Sequence, residues 1–86
     1  MQLSNLSLTN FKGMIMLQDE HGGEYSINPK AISSVTNLGS YDMCENKATR
    51  IDMINGGVHF TPTAYNKLMT AIEKANKTEA NINLVV

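Results

Sequence analysis

The chain has 86 residues, 42% of them hydrophobic, with seven basic and eight acidic residues and a net charge of −1. This length predicts one domain with a small core, which commonly gains stability by burying a surface against a second copy. The charge balance argues against a nucleic-acid-binding protein and against a polybasic membrane anchor, because both depend on clustered Lys and Arg.

The location that the sequence predicts is the cytoplasm. Cys44 is the single cysteine, so no intrachain disulfide can form. Residues 1–5 lack the basic and apolar regions of a secretory signal. No apolar stretch approaches the roughly 20 residues that a membrane helix needs.

The first third of the chain predicts a hairpin. Residues 1–10 are polar with scattered leucines and are interpreted as a flexible arm or a short edge strand. The apolar run at 14–17 is too short for a helix and predicts a buried strand. Gly22 and Gly23 predict a turn, and the alternation of apolar and polar residues at 24–28 predicts the returning strand.

The middle of the chain predicts a helical turn, a strand and a loop. Asn28 can cap the turn, and Pro29 suits its first helical position. A third strand is predicted at 32–38. Residues 39–48 show no regular pattern and are interpreted as a loop.

A second hairpin and the main helix follow. Strands are predicted at 49–54 and 58–60, because an Asn-Gly-Gly sequence separates them. Thr61 as N-cap and Pro62 at the first helical position then predict a helix at 61–77. Its apolar stripe at three- and four-residue spacing consists of Ala64, Tyr65, Leu68, Met69, Ile72 and Ala75.

The tail at 78–86 again alternates apolar and polar residues and is interpreted as a tail or a last strand. A strand here that paired with another copy would serve assembly. Residues 22–32 also resemble 56–65 in the order turn, strand, cap, proline and helical turn. Internal duplication and shared turn chemistry both explain this likeness.

The metal-ligating residue types are sparse. His21, His59 and Cys44 lack the paired spacing of a zinc site, so the histidines are interpreted as solvated and no metal is expected. Cys44 is interpreted as an inert side chain, because no histidine or helix start lies beside it.

Catalytic patterns are also missing. Asp19, Glu20 and Glu24 flank the first turn, where acidic residues chiefly protect an edge and aid solubility. No nucleophile elbow, phosphate-binding loop or dinucleotide-binding glycine pattern occurs in the sequence. A protein without enzymatic activity and without a cofactor is therefore expected.

The sequence predicts one candidate ligand-binding site. The predicted helix start offers backbone N–H groups that can hold a phosphate or carboxylate, and nearby aromatic and basic residues can stack a nucleotide base. The candidate ligand-binding residues are Thr61, Thr63, Lys30, Arg50, Tyr25 and Tyr41. An ordinary capped helix and an ordinary solvated surface account for the same residues.

A family resemblance rests on the first hairpin. The residues that carry it are Ile15-Met16-Leu17, then Gly22-Gly23-Glu24-Tyr25-Ser26-Ile27-Asn28-Pro29-Lys30-Ala31-Ile32, then Ser34-Val35 and the second Gly-Gly hairpin. With this pattern, residues 14–72 resemble the small FlbD-type flagellar proteins of bacteria, and also small phage-encoded accessory proteins. The resemblance implies a β-rich regulatory or assembly module without catalytic residues. The polar leader, the loop at 39–48 and the apolar tail depart from the flagellar pattern.

The predicted fold is α+β, a small antiparallel sheet or half-barrel of about five strands in two hairpins, with one C-terminal amphipathic helix and an apolar tail. The predicted core consists of Ile15, Leu17, Tyr25, Ile27, Ile32, Val35, Ile51, Met53, Val58, Phe60, Leu68, Met69 and Ile72.

The predicted function is that of a small non-enzymatic protein-binding accessory or regulatory module, such as a phage-encoded inhibitor of a host system. It would act as a homo-oligomer, with a host protein or another copy of itself as partner. The alternative is a protein that sequesters a nucleotide or other anion between subunits. The third hypothesis is a nucleic-acid-binding regulator, which the charge balance disfavours.

Overall fold

A computed structural model describes residues 12–39 and 47–85, which form two three-stranded sheets and one α-helix. The elements are β1 (Ile15–Gln18), β2 (Glu24–Ile27), a 3-10 helix (Pro29–Ala31), β3 (Ile32–Asn37), β4 (Thr49–Met53), β5 (Val58–Thr61), α1 (Tyr65–Thr78) and β6 (Ile82–Asn83). The predicted α+β class is confirmed, with six strands in the described ranges. The predicted arm at 1–10 and most of the predicted loop at 39–48, with Tyr41 and Cys44, lie outside the described residues.

The first sheet has the strand order β2-β1-β6. β1 and β2 form the predicted antiparallel hairpin, with Ile15 opposite Ile27. β6 lies on the other side of β1 and runs parallel to it, with Ile82 opposite Ile15. The apolar tail therefore pairs within its own chain, and its hydrogen bonds to β1 are not available to a second copy.

Asp19 organises the turn between β1 and β2. Its carboxylate accepts hydrogen bonds from the backbone N–H groups of His21 and Gly23, each at 2.8 Å. An aspartate that bonds backbone groups a few residues ahead is a common way to hold a tight turn. The acidic residue at this position thus shapes the hairpin, in addition to the predicted edge protection.

The second sheet has the strand order β3-β4-β5 and is antiparallel throughout. A register shift between Ile32 and Ser34 marks a β-bulge at the start of β3. Because side chains alternate along each strand, one face of this sheet points to the core. The opposite face, here called the open face, carries Ser34, Thr36, Arg50, Asp52, Val58 and Phe60.

The core lies between the inner faces of the two sheets and α1. Its buried apolar residues are Ile15, Leu17, Ile27, Ile51, Leu68, Ala71 and Ala75. The predictions for Val58 and Met69 were wrong, because these side chains are 43% and 37% exposed on the open face and on the outer side of α1. Phe60 also lies on the open face, where it is half-buried.

The helix begins later than the sequence predicted. Thr61 is the last residue of β5, and α1 begins at Tyr65 with Ala64 as an N-cap that has no side-chain hydrogen bond. The Thr61 hydroxyl accepts instead from the backbone N–H of Thr63, at 3.2 Å. This local turn redirects the chain from the strand, so the helix cannot start at Pro62. No helix in the described ranges has the length and apolar character that a membrane crossing requires.

Gly13 fixes the other end of the helix. Its N–H donates to the carbonyl of Glu79 at 2.9 Å. Its φ is +68°, and an added Cβ would lie 3.2 Å from the carbonyl oxygen of Ala75. Glycine is favoured here because a side chain would meet both backbone strain and the helix.

Candidate functional site

Tyr25 joins the two sheets. Its ring stacks on His59 of β5, with 4.9 Å between centroids and 19° between planes. The Tyr25 hydroxyl donates to the carbonyl of Phe60 at 3.4 Å. Burial raises the pKa of Tyr25 to about 12, while a hydrogen bond with the Thr61 side chain acts in the opposite direction. The ring predicted to stack a ligand base therefore stacks on His59, and that histidine is half-buried, not solvated.

Three threonines fill the corner beside this contact between the sheets. Thr49 and Thr61 are 0% exposed. The Thr49 hydroxyl donates to the Thr63 carbonyl at 2.8 Å, and the Thr61 and Thr63 hydroxyl oxygens lie 3.3 Å apart. Buried hydroxyls need such partners, because an unpaired polar group loses its hydration without compensation. Thr61 is therefore a structural residue of this corner, with its hydroxyl buried and hydrogen-bonded to Thr63.

Thr63 lines a cleft at the start of α1. The cleft has a volume of about 240 Å³ and is lined by Gln18, Pro62, Thr63, Ala64, Lys67 and Leu84. Lys67 lies in the first turn of the helix, where backbone N–H groups also point outward. Lys67 was not among the predicted candidates, because the sequence predicted Pro62 as the first helical residue, three positions before Tyr65, where α1 begins. A small anion would find a hydroxyl and an ammonium group here.

Lys47 and Glu20 link the first hairpin to the second sheet. The Lys47 Nζ lies 3.2 Å from the Glu20 carboxylate and 4.8 Å from the centroid of the Phe60 ring. An ammonium group over an aromatic face is attracted to the ring quadrupole. Lys47 thus contacts an aromatic ring within the protein.

The remaining predicted ligand-binding residues lie apart from this corner. Lys30 lines a small cavity of about 60 Å³ at the C-terminal end of α1, at the opposite end of the helix from Thr63. Arg50 lies on the open face. Tyr41 is outside the described residues. Of the five candidates that the structure describes, Tyr25, Thr61 and Thr63 come together, while Lys30 and Arg50 lie apart from them, so these five do not form one site.

Arg50 belongs to a polar group that is held in place on the open face. Its guanidinium donates to the Asp52 carboxylate from Nη2 at 3.0 Å, and the Ser34 hydroxyl donates to the same carboxylate at 3.1 Å. The hydrogen bond from Arg50 is the main reason why the pKa of Asp52 is lowered, and the hydrogen bond from Ser34 acts in the same direction. Val58 lies directly opposite Asp52 on the neighbouring strand.

The open face therefore combines apolar, aromatic and charged side chains. Val58 and Phe60 lie on β5, and Ile54, in the turn between β4 and β5, is 71% exposed. Aromatic residues and arginine are enriched in protein–protein interfaces compared with the rest of a protein surface. This face has the side-chain composition of a contact surface.

No family model, curated protein or solved structure matches the chain. The resemblance to FlbD-type and phage accessory proteins stays a prediction from the sequence. Within the described ranges, no group of three His, Cys, Asp or Glu residues could hold a metal ion.

Proposed function

We propose that the chain is a small protein-binding module that acts as a homo-oligomer, in an accessory or regulatory role such as the inhibition of a host system by a phage. It acts through contact with a partner protein and needs no cofactor. The observation that supports this proposal most directly is the open face of the β3-β4-β5 sheet. α1 and the strands of the first sheet lie on the core side of this sheet. On the open face, Lys47 lies over the Phe60 ring and pairs with Glu20 of the first hairpin.

The energetics of the open face favour binding. The polar group of Arg50, Asp52 and Ser34 is already ordered by its own hydrogen bonds, so these three side chains lose little conformational entropy when a partner contacts them. Beside it, Val58 offers apolar area that a partner can remove from water. Binding through such a face would gain affinity from the apolar side chains on β5 and orientation from the charged side chains on β4.

The test compares two lysine substitutions at exposed strand positions. Val58→Lys places a charge on the open face at the start of β5, opposite Asp52, with which it can pair. Ser26→Lys is the matched control on the outer face of the first sheet, where Ser26 is exposed. Each protein is immobilised and exposed to a lysate of the source organism, and the retained proteins are quantified by mass spectrometry.

The proposal expects a protein that wild type and Ser26→Lys retain and that Val58→Lys loses. Loss of a contact worth about 2 kcal/mol at Val58 corresponds to roughly thirtyfold weaker binding. Calorimetry with the purified partner then checks this ratio. Equal retention by all three folded proteins would contradict a role for the open face.

A second candidate function is the binding of a small anion such as a nucleotide phosphate. The observation that favours it is the cleft of about 240 Å³ beside Thr63 and Lys67. A ligand that binds the folded state raises the unfolding temperature by mass action. Inorganic phosphate and nucleotides should then stabilise wild type and a Lys74→Gln control, and stabilise Lys67→Gln much less. Equal increases in the unfolding temperature of Lys67→Gln and Lys74→Gln would exclude this cleft as the binding site.

A further inference from the structure

The two sheets differ in how their edge strands are protected. β6 has two residues, β2 begins with Glu24, and β5 already receives the Tyr25 hydroxyl at the Phe60 carbonyl. β3 has six residues and pairs only with β4 among the described strands. It contains no charged residue and no proline. Natural edge strands commonly carry lysine, proline or a β-bulge to block further pairing. The bulge of β3 is confined to its start, between Ile32 and Ser34, and residues 34–37 contain neither lysine nor proline.

The direction of the backbone groups along β3 follows from its hydrogen bonds to β4. The Leu38 N–H donates to the Ala48 carbonyl at 3.0 Å. In an antiparallel pair, alternate residues bond to the neighbour and the residues between them point away. Thr36 and Ser34 therefore bond to β4, while the N–H and C=O groups of Val35 and Asn37 point to the outer edge.

We propose that β3 pairs in antiparallel orientation with β3 of a second copy, around a twofold axis at Val35. This inference rests on the homo-oligomeric part of the proposed function and names the surface that forms the oligomer. Val35 would exchange two hydrogen bonds with Val35 of the partner subunit, and Asn37 would bond to Ser33 of the partner subunit. The β3-β4-β5 sheets of the two copies would then join into a single six-stranded sheet, with the strand order β5-β4-β3-β3-β4-β5.

The composition of β3 favours a copy of itself as the occupant of this edge. Across a twofold axis each residue meets itself or a near neighbour, so a charged residue close to the axis would face its own charge. β3 presents Ser34 and Thr36 on one face and Val35 on the other, which are all compatible with self-pairing. Ser34 would lie opposite Thr36 of the partner subunit, and small hydroxyl residues pair favourably across strands.

Pairing of β3 with β3 would also bring together the open faces of the two copies. A twofold axis perpendicular to the sheet keeps the same face of both copies on the same side. The two open faces would then form one continuous surface with two identical binding positions. A bivalent surface raises the apparent affinity for a partner that is itself dimeric or repeated.

Disulfide trapping tests the register of this pairing. In a background with Cys44→Ser, Ser34→Cys and Thr36→Cys are prepared as two separate proteins. The proposed register places these two positions in a pair without mutual hydrogen bonds, where the Cα atoms lie about 4.5 Å apart. That separation permits a disulfide, whereas Cα atoms more than about 7 Å apart cannot be bridged.

Mild oxidation of the equimolar mixture should therefore give a cross-linked dimer that contains one of each variant. Each variant oxidised by itself should give much less dimer, because position 34 does not meet position 34 of the partner. Equal yields from the mixture and from the separate variants would overturn the proposed register.

Light scattering on a second set of variants tests the edge itself. Asn37→Pro removes an outward N–H of β3 and leaves the bonds to β4 intact. Ser26→Pro is the matched control, since its N–H points outward from β2. Wild type and Ser26→Pro should be dimers, and folded Asn37→Pro should be a monomer at the same concentration.

The outcomes separate the two proposals. A wild-type oligomer that persists in Asn37→Pro, without a cross-link in the mixture, would overturn the β3 pairing and leave the homo-oligomeric function standing. A wild-type monomer would overturn both the pairing and the homo-oligomeric part of that function. Partner binding that depends on Val58 would still be measured separately in the retention experiment.

Discussion

Replacing Thr49 with valine keeps the size and β-branching of a buried side chain but removes its hydroxyl. That hydroxyl donates to the Thr63 carbonyl at 2.8 Å, and Thr49 is 0% exposed. A typical hydrogen bond contributes about 0.5–1.5 kcal/mol, and a buried group left without its partner costs about 1–3 kcal/mol. Because Thr63 is half-buried, we expect Thr49→Val to lower the free energy of unfolding by about 1–2 kcal/mol.

The matched control is Thr36→Val on the same sheet. Thr36 is exposed on the open face, so this change should alter the free energy of unfolding by no more than about 0.5 kcal/mol. Urea unfolding followed by circular dichroism measures both variants. For a domain of this size, each kcal/mol also shifts the unfolding temperature by about 4–8 °C. Equal stabilities for the two variants would refute the role assigned to the buried threonine corner.

Three further substitutions probe the fold. Gly13→Ala should lower the free energy of unfolding by about 1–2 kcal/mol or more, because it adds a side chain at positive φ next to a helix carbonyl. Gly22→Ala, which also lies at positive φ but has open space around it, should lower the free energy of unfolding less. Burial raises the pKa of Tyr25 to about 12, so the contribution of its neutral hydroxyl to the free energy of unfolding should be complete below pH 10 and decline as the pH rises toward 12. Denaturant titrations of Tyr25→Phe should not show that decline. Leu68→Ala should cost about 2–5 kcal/mol in thermal unfolding because it opens a cavity in the core, whereas Met69→Ala, at an exposed position, should cost much less.

The parts of the fold that the sequence predicted correctly depend on local chemistry. Gly22 has a φ of +89° and Gly56 a φ of +91°, and both lie in the hairpin turns that the glycine pattern predicted. Asn28 accepts a hydrogen bond from the Lys30 N–H at 3.0 Å, as expected of a cap before Pro29. These features are determined within a few residues of chain, so composition and spacing are enough to predict them.

The parts that it did not predict depend on contacts between distant residues. Thr61 has the side chain of a helix cap, but its position at the end of β5 gives its hydroxyl a different partner. The stacking of Tyr25 on His59 joins strands that are more than thirty residues apart, and no local pattern indicates it. Ala71 contributes to the core because a small residue lets α1 approach the sheets closely, which becomes visible only once the packing is known.

Native mass spectrometry of gently purified wild-type protein tests the central claim most directly, because it reports the mass of the assembly and of any retained small molecule together. The proposed homo-oligomeric protein-binding module should appear as a dimer, or as an oligomer built from dimers, without added small-molecule mass. A monomer at every concentration would contradict the homo-oligomeric claim. An oligomer that carries the mass of a nucleotide would contradict the protein-binding proposal and favour the sequestration of an anion.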